Sequence, residues 1–226
     1  MEPTVIILQH KPCIPTDDLL STFARSKVTG IKIRPNNINE LPSDILITKS
    51  SAMVLVDTPA RNNHRLQEEE IKLIKKLRDK KKILALGSGT ITAGIAHGAA
   101  IYSDNLRLGW MPATPPNQAR GQPENFPRKI LVNSNIMLNP QKEAKTLLTS
   151  GKHIAAYEQK NLLSLDFITN IDLPSYDLLI RKATLQKGSP SPRVQTSEEL
   201  VYHRDKELKY YKAQISNLLE QWLANI

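Results

Sequence analysis

The sequence predicts an α/β protein built on a doubly wound, mostly parallel sheet. Short continuous apolar runs such as Thr4–Gln9 (TVIILQ) are typical of strands that are buried on both faces. In the first half of the chain, segments with helical spacing separate these runs, and strands that alternate with helices indicate parallel pairing through right-handed crossovers. In the second half the apolar runs follow one another more closely, which predicts an antiparallel extension of the sheet.

The first half alternates predicted strands and helices. Thr16 precedes the first helix and is placed to cap it, because a threonine there accepts a hydrogen bond from the first turn. In the second helix Ile71, Ile74 and Leu77 have the spacing of one apolar face. The predicted strands are Thr4–Gln9, Gly30–Ile33, Asp44–Ile47 and Lys82–Leu86, and the predicted helices are Asp17–Ala24, Gln67–Arg78 and Gly89–His97.

The second half predicts further strands, a short helix and a long C-terminal helix over residues 197–226. A loop at residues 186–196, with its GSPSP core, precedes the C-terminal helix, and Thr196 and Glu199 suit its first turn as capping residues. The remaining elements are strands at Leu106–Met111, Lys129–Asn133, His153–Tyr157 and Leu162–Phe167, a polar loop at Gln118–Arg128, and a helix at Pro174–Lys182. A chain of 226 residues with 40% hydrophobic residues can bury one substantial core, so we expect a single domain over residues 1–226.

The formal net charge of +9 raises the question of a binding partner. Much of the excess lies in Lys72–Lys82 (KLIKKLRDKKK), which follows three glutamates and therefore also suits the basic end of a solvated helix. A surface for nucleic acid or acidic lipid is one interpretation, but the run has neither interleaved aromatic residues nor a nucleic-acid-binding motif, and an acidic protein partner is at least as well supported. The candidate interaction surface consists of Lys72, Lys75, Lys76, Arg78, Lys80, Lys81 and Lys82.

Several classes of protein are excluded by what the sequence lacks. No apolar run reaches the roughly 18 residues of a membrane span, and the N-terminus leads directly into a predicted strand without the basic region of a signal peptide. Cys13 is the only cysteine, so an internal disulfide or a cysteine metal cluster is excluded and a cytoplasmic protein is expected. The segment LGSGTITAG has neither the P-loop nor the dinucleotide glycine spacing, and no cofactor or metal is predicted.

Residues 82–89 (KILALGSG) have the form of a nucleophile elbow, in which an apolar strand leads into a glycine-rich turn that opens a helix. Gly87 falls at the tip, and Ser88 follows it. A serine nucleophile at position 88 would require glycines at positions 86 and 90, where the chain has Leu86 and Thr90. None of the five histidines is placed to act as its base, so a hydrolase that uses Ser88 is the least favoured interpretation.

The order of segments resembles a class I glutamine amidotransferase domain of the stand-alone kind that is related to the glutaminase half of GMP synthase. The resemblance covers most of the chain, and no single motif carries it. It rests on ILQH (Ile7–His10), LITKSSAMVLVD (Leu46–Asp57), KILALGSG, Gly98, Gly109-Trp110, Ala144–Gly151, Ala155–Phe167 and NLLEQWL (Asn217–Leu223). It implies the doubly wound, flavodoxin-like sheet of that family.

In this family a cysteine at the elbow attacks the glutamine amide, a histidine transfers the proton, a glutamate orients the histidine, and a Gly-Gly turn helps to hold the oxyanion. The resemblance places the cysteine on Gly87, the histidine on Ile168 and the glutamate on Asn170. It places the Gly-Gly turn on Ser50-Ser51, and a His-Gly-Asp segment of the subgroup on Asn133-Ser134-Asn135. At each of these positions this sequence has a residue different from the one that the family pattern requires.

We therefore expect a catalytically inactive glutamine amidotransferase-like protein that serves as a binding or assembly subunit of a larger complex, for instance an accessory subunit of a bacterial secretion machine. The alternative is a sensor of amides or amino acids that uses the pocket around Ser50, Ser51, Gly87, Ser88, Ile168 and Asn170. Cys13 lies in the loop after the first strand, where a reactive thiol is conceivable, but an inert small residue is the favoured interpretation unless a basic neighbour lowers its pKa.

Overall fold

A computed structural model describes residues 2–12, 14–60, 63–116, 126–185 and 194–226. Within these ranges the strands are β1 (Thr4–Leu8), β2 (Thr29–Ile33), β3 (Ala52–Leu55), β4 (Lys82–Leu86), β5 (Ala100–Pro112), β6 (Lys129–Asn139), β7 (Lys145–Ser150), β8 (His153–Gln159) and β9 (Leu162–Leu165). The helices are α1 (Asp17–Arg25), α2 (Asp44–Lys49), α3 (His64–Leu77), α4 (Gly89–Ala96), α5 (Leu173–Leu185) and α6 (Ser197–Leu223), with a 3-10 turn at Ile38–Glu40.

The main sheet confirms the predicted fold class. Its strand order is β2-β1-β3-β4-β9-β8-β7 in the described part of the chain. The strands from β2 to β9 in this order pair in parallel, while β8 is antiparallel to both β9 and β7. The carboxyl ends of β1, β3, β4 and β9 therefore meet at one edge of the sheet, which is where ligands bind in open α/β folds.

Both faces of the sheet are buried, which explains the continuous apolar runs of its central strands. On one face, Ile74 of α3 and Ala93 of α4 pack against Ile6, Met53 and Ile83 of the strands. On the other face, a larger core joins α1, α5 and α6 to the sheet and to the β5–β6 pair, and includes Leu19, Tyr176, Ile215 and Trp222. None of the described helices is long and apolar enough to span a membrane.

The prediction of a strand at Asp44–Ile47 is wrong, because these residues begin the helix α2. The Ser43 hydroxyl accepts a hydrogen bond from the Leu46 amide at 3.3 Å, which is the N-cap contact that favours a helix. Four apolar or acidic residues in a row cannot distinguish a short strand from a short helix by periodicity alone. The strand of this region is β3, which begins only at Ala52.

The other predicted elements of the first half are present within a few residues of their expected bounds. Thr16 is the N-cap residue of α1, but its side chain makes no capping bond, and its hydroxyl instead accepts from Lys32 Nζ at 3.3 Å. The capping residues expected for α6 are confirmed: Thr196 Oγ1 accepts from the Glu199 amide, and Glu199 Oε2 accepts from the Thr196 amide. Most of the predicted loops at 118–128 and 186–196, and Cys13, lie outside the described residues.

The β5–β6 pair is joined to the body of the protein at Gly109-Trp110. Gly109 has a φ of 119°, and Gln195 packs so closely against its Cα that a side chain there would collide with it. The Gln195 side chain accepts a hydrogen bond from the Trp110 amide at 2.7 Å, and the Trp110 indole donates to Tyr176 Oη at 2.8 Å. Tyr176 in turn donates to the Leu200 carbonyl of α6. These contacts hold β6 above the carboxyl edge of the sheet.

Candidate functional site

The elbow predicted at residues 82–89 is formed by the end of β4 and the start of α4. Gly87 has a left-handed backbone with a φ of 51°, and its amide donates to the Leu165 carbonyl of β9 at 2.9 Å. Ser88 has helical torsion angles and is the N-cap residue of α4. The tip of the elbow is therefore Gly87 and not Ser88, as the spacing of the sequence predicts.

The elbow has room for a side chain at its tip. A Cβ atom built on Gly87 would approach no atom closer than the Val56 carbonyl oxygen at 3.8 Å. At Gly89 the situation is reversed, because a Cβ there would lie 2.4 Å from the Leu55 carbonyl oxygen. Gly89 is thus required by the close approach of helix and strand, whereas the space beside Gly87 is open.

The residues after β9 complete this side of the site. The Ile168 amide donates to the Leu131 carbonyl of β6 at 2.8 Å, which fixes the loop beneath the β5–β6 pair. Ile168 is half-buried, Asn170 is buried, and both line the same cavity as Gly87 and Ser88. Asn133, Ser134 and Asn135 of β6 line it from above. Neither Ile168 nor Asn170 has a side chain that can take up a proton at ordinary pH.

The placement of the oxyanion turn on Ser50-Ser51 is wrong. Ser50 is the C-cap residue of α2, and the Ser51 amide donates to the Thr4 carbonyl at the amino end of β1, so both lie at the edge of the sheet opposite the elbow. The error follows from the misassigned strand at Asp44–Ile47. The turn that follows β3 at the elbow's edge contains Thr58, Pro59 and Ala60, and these residues line the cavity.

The cavity has a volume of about 660 Å³ and opens at the carboxyl edge of the sheet. Its walls are mainly apolar, with Ile14, Val132, Phe167 and Leu179 among them, and Lys11 contributes a cationic side chain. The size and the mixture of apolar walls with a few polar groups are those of small-molecule sites in proteins.

Asp166 forms part of the cavity lining and was missed by the sequence reasoning. Its Oδ2 lies 3.3 Å from His153 Nε2, and its Oδ1 lies 3.4 Å from Thr90 Oγ1. Burial raises the pKa of Asp166 to about 7, although the nearby Arg107 guanidinium and Thr90 act in the opposite direction. Burial, followed by the charge of Arg107, lowers the pKa of His153 to about 4. The pair is therefore stabilised in its uncharged form.

A second buried pair, His10 and Glu70, lies beyond the end of β1 and was also missed. His10 Nε2 is 2.7 Å from Glu70 Oε1, and His10 Nδ1 is 3.1 Å from the Pro35 carbonyl oxygen. Burial lowers the pKa of His10, but the hydrogen bond and charge of Glu70 outweigh it, so the pKa is raised overall. Asp57 accepts hydrogen bonds from the His10 and Lys11 amides at 2.7 Å each, which ties the loop after β1 to the end of β3.

The candidate interaction surface lies away from the cavity, at the end of α3 and the amino edge of the sheet. Three of its members are engaged within the molecule. Lys72 pairs with Glu69, Arg78 donates to the Ala96 carbonyl, and Lys81 donates to the Thr48 and Ser50 carbonyls at the end of α2. Lys75, Lys76 and Lys80 are exposed, and Lys82 is partly exposed. In the described part of the chain, no group of three or more His, Cys, Asp or Glu side chains could hold a metal ion.

The whole described chain superposes on solved glutamine amidotransferases. One from Thermotoga maritima matches with a TM-score of 0.79 at 16% identity over 99% of both chains. One from Methylobacillus flagellatus matches with a TM-score of 0.78 at 14% identity over 99% of this chain and 93% of that chain. A GMP synthase subunit from Thermoplasma acidophilum matches with a TM-score of 0.59 at 12% identity over 97% of each chain.

No family model matches the sequence, and no curated protein matches it. At these identities the structural likeness concerns the arrangement of the backbone and not the chemistry of the site. The chain has the fold of class I glutamine amidotransferases.

Proposed function

We propose that this chain is a catalytically inactive glutamine amidotransferase-like protein that acts by binding, as a non-catalytic subunit of a larger protein complex. The observation that carries the loss of activity is the elbow tip, where Gly87 has the left-handed backbone of a nucleophile position and no side chain. A thioester requires a thiolate and a base to activate it. Ile168 and Asn170 supply neither a proton acceptor nor a group to orient one.

The loss of activity is tested by the release of ammonia from glutamine. We expect the wild-type protein to release none above the uncatalysed rate, and Ser88→Ala to behave in the same way. The triple variant Gly87→Cys, Ile168→His, Asn170→Glu serves as the matched comparison, since the space at Gly87 accepts a side chain. Ammonia release by the wild type that is lost in Ser88→Ala would overturn the proposal in favour of a hydrolase.

The binding role is supported by the distribution of charge. The exposed Lys75, Lys76 and Lys80 lie at the amino edge of the main sheet, and the exposed Lys49 lies at the same edge. The cavity lies at the opposite edge, so this basic surface is free to contact an acidic protein without covering it. Complementary charge mainly accelerates and orients association.

A charge reversal tests this surface. The variant Lys75→Glu, Lys76→Glu, Lys80→Glu is compared with the wild type in affinity purification from the native cell with cross-linking. We expect the acidic partner to be lost from the variant, and to be retained by the control Lys152→Glu, Lys209→Glu, which changes exposed lysines elsewhere. Recovery of the protein only as a monomer would contradict the subunit role. If the wild-type protein co-purified with nucleic acid and not with a protein, the basic surface would be a nucleic-acid-binding surface.

A second function, the sensing of a small molecule, is favoured by the cavity of about 660 Å³. A pocket of this size that lacks a nucleophile and a base can hold a ligand without cleaving it. Thermal unfolding in the presence of millimolar glutamine, asparagine and related amides tests for an amide ligand. Ligands that bind the folded state alone raise the unfolding temperature, and an unchanged temperature would exclude these amides.

A further inference from the structure

Charged groups are scarce around the cavity, and the accessible one is a cation. Lys11 and Asp166 are the only ionisable residues among the described ones that line it. Asp166 is 8% exposed, its Oδ2 is shielded from solvent, and burial raises its pKa to about 7, so that below this pH the carboxyl is mostly uncharged. Lys11 is exposed. The charge that a ligand in the cavity meets is therefore positive.

Lys11 lies close to the elbow, across the end of β3. Its backbone amide donates to Asp57 Oδ2 at 2.7 Å, and the adjacent His10 amide donates to Asp57 Oδ1 at the same distance, so the loop after β1 is fixed at this place. The residue before Asp57 is Val56, whose carbonyl oxygen is 3.8 Å from a Cβ atom built on Gly87. The cation and the open space at the elbow tip thus belong to one side of the cavity.

The Lys11 ammonium group has no ion pair among the described residues. Its charge acts on the Asp57 carboxyl, but that carboxyl is fully buried, accepts the two amide bonds of the loop and does not line the cavity. An anionic group within the cavity would supply the counter-charge that Lys11 lacks.

The wall that β6 forms adds a second donor. Asn133 lines the cavity, and its Oδ1 accepts a hydrogen bond from Lys182 Nζ of α5 at 2.6 Å. Because an ammonium group can only donate, this contact fixes the orientation of the amide and leaves the Asn133 NH2 group as the unengaged one. Burial lowers the pKa of Lys182, and no carboxylate among the described residues acts on it. This wall therefore presents a donor that is backed by a positive charge.

The remaining walls indicate the rest of the ligand. Beside the elbow they are formed by Ile91, Phe167 and Ile168, and on the far side by Val132 and Leu179. Such walls favour a ligand with an apolar body, since binding then removes apolar surface from water on both partners.

We propose that the cavity binds a small amphiphilic carboxylate, with its anionic group toward Lys11 and its apolar body against the walls beside Gly87. This inference rests on the proposed use of the cavity as a sensing site, and it gives that site a ligand class. A carboxylate accepts hydrogen bonds and donates none, which suits the Lys11 ammonium group and the Asn133 NH2 group, since both only donate. The charge of Lys11 would repel an ammonium ligand.

The test uses 3-phenylpropanoate as the probe, 3-phenylpropan-1-ol as its uncharged counterpart and 3-phenylpropylammonium as its cationic one. Titration calorimetry of the full chain is carried out at about pH 6, where the carboxyl group of the probe is ionised. We expect saturable binding of the carboxylate, about fivefold weaker binding of the alcohol and the weakest binding of the ammonium compound. Sodium chloride at about 0.5 M is expected to weaken the carboxylate severalfold and to change the alcohol little, because salt screens charge.

Lys11→Met keeps most of the length of the side chain and removes its charge, and we expect this variant to bind the carboxylate and the alcohol about equally. Lys11→Arg keeps the charge and is expected to keep the preference for the carboxylate. Lys209→Met is the matched control, since Lys209 is an exposed lysine of α6 that does not line the cavity. Asn133→Asp places a carboxylate on the β6 wall beside Lys182 and is expected to weaken the probe about fivefold.

Gly87→Asn tests where the apolar body lies. It fills the open space at the elbow tip with a residue that tolerates a left-handed backbone. We expect it to weaken the carboxylate and the alcohol alike, whereas Lys11→Met affects the carboxylate alone.

Equal binding of the carboxylate and the alcohol to the wild type, or an undiminished preference for the carboxylate in Lys11→Met, would overturn this inference. In both cases the cavity would still bind a ligand, so its proposed use as a sensing site would stand. The absence of saturable binding of the carboxylate would also overturn it, while thermal unfolding with amides tests the sensing role separately. None of these outcomes affects the proposed loss of glutaminase activity, which is measured through ammonia release.

Discussion

The two buried histidine–carboxylate pairs use the same chemical groups in opposite ways. His10 and Glu70 are in close contact at 2.7 Å, and the second nitrogen of the His10 ring meets the Pro35 carbonyl. His153 Nε2 and Asp166 Oδ2 are 3.3 Å apart, and the other ring nitrogen of His153 makes no hydrogen bond in the described chain. The pKa of His10 is raised and that of His153 is lowered.

The difference shows that burial alone does not set the charge of such a pair. The close contact with Glu70, the charge of Asp57 and the hydrogen bond to Pro35 outweigh the desolvation of the His10 ring, so the protonated form is favoured and joins β1, the loop after β2, and α3. At His153 the contacts are longer, and desolvation together with Arg107 prevails. The first pair is a structural clamp that is held in its charged form, and the second pair is held in its uncharged form.

The largest expected effect is the loss of the clamp in Glu70→Ala. Glu70 is fully buried, and its removal leaves the His10 ring without its partner. We expect the free energy of unfolding to fall by about 3–5 kcal/mol, as it does when one member of a buried pair is removed. Urea denaturation measures this loss. Glu68→Ala on the exposed face of the same helix is the control and should change stability by less than about 0.5 kcal/mol.

A loss below about 1 kcal/mol in Glu70→Ala would show that the His10 ring is satisfied without a charged partner and would remove the contrast between the pairs. A double variant, in which an apolar residue also replaces His10, shows whether the His10 ring depends on Glu70 or is satisfied without it. If the clamp is a coupled pair, the two losses are not additive.

The second prediction concerns the effect of pH on the stability contributed by the His153–Asp166 pair. Between about pH 4 and about pH 6.5, the folded chain retains a proton on Asp166 that the unfolded chain has lost, so Asp166 makes the folded state less stable as the pH rises. In the same range the folded chain lacks a proton on His153 that the unfolded chain retains, so His153 makes it more stable as the pH rises. The two contributions oppose each other in the wild type.

Asp166→Asn removes one of these contributions. Its stability relative to the wild type is therefore expected to rise with pH, by up to about 1.4 kcal/mol per pH unit, and above about pH 7 the variant should be the more stable protein because it has no ionised carboxylate to bury at this position. Urea denaturation from about pH 5 to about pH 8 measures the difference. Parallel pH profiles of the variant and the wild type would show that Asp166 has an ordinary pKa in the folded state.

The smallest expected effect is that of Thr90→Val. The Thr90 hydroxyl donates to the Gly87 carbonyl at 2.6 Å and lies 3.4 Å from Asp166 Oδ1. We expect stability to fall by about 1 kcal/mol, and the pKa of Asp166 to rise further because Thr90 acts to lower it. Thr92→Val, equally buried on the same helix and bonded to Thr58, is the control. Carbon-13 NMR titration of the Asp166 carboxyl distinguishes them, since Thr92→Val should leave the pKa unchanged.

The fold was predictable where an apolar run in the sequence is followed directly by a turn-forming glycine. Lys82–Leu86 is a strand with the predicted bounds. Its apolar run ends directly before Gly87, whose left-handed backbone turns the chain into the next helix. The prediction for Asp44–Ile47 failed because four residues make only about one helical turn, which is too short for periodicity to distinguish a helix from a strand, and the deciding contact is the Ser43 cap. That one error displaced the predicted oxyanion turn to Ser50-Ser51.

The candidate site was predictable only in part. Gly87, Ser88, Ile168 and Asn170 meet at the cavity because the carboxyl ends of adjacent parallel strands meet, which the order of segments implied. The buried pairs depend on distant residues that approach across the sheet, and spacing along the chain contains no information about them. The single signal for Asp166 was a carboxylate within the apolar run LLSLDF, since a charge there must be buried.

The Tyr211 hydroxyl of α6 donates to the Ile168 carbonyl, and the Tyr211 ring meets the Trp110 indole edge to face with centroids 5.0 Å apart. The C-terminal helix therefore holds the cavity loop directly, without an intervening element. If a partner that binds α6 and a ligand that fills the cavity both shift this hydrogen bond, each changes the affinity for the other by an equal factor. Assembly and ligand sensing would then be two expressions of a single equilibrium in this molecule.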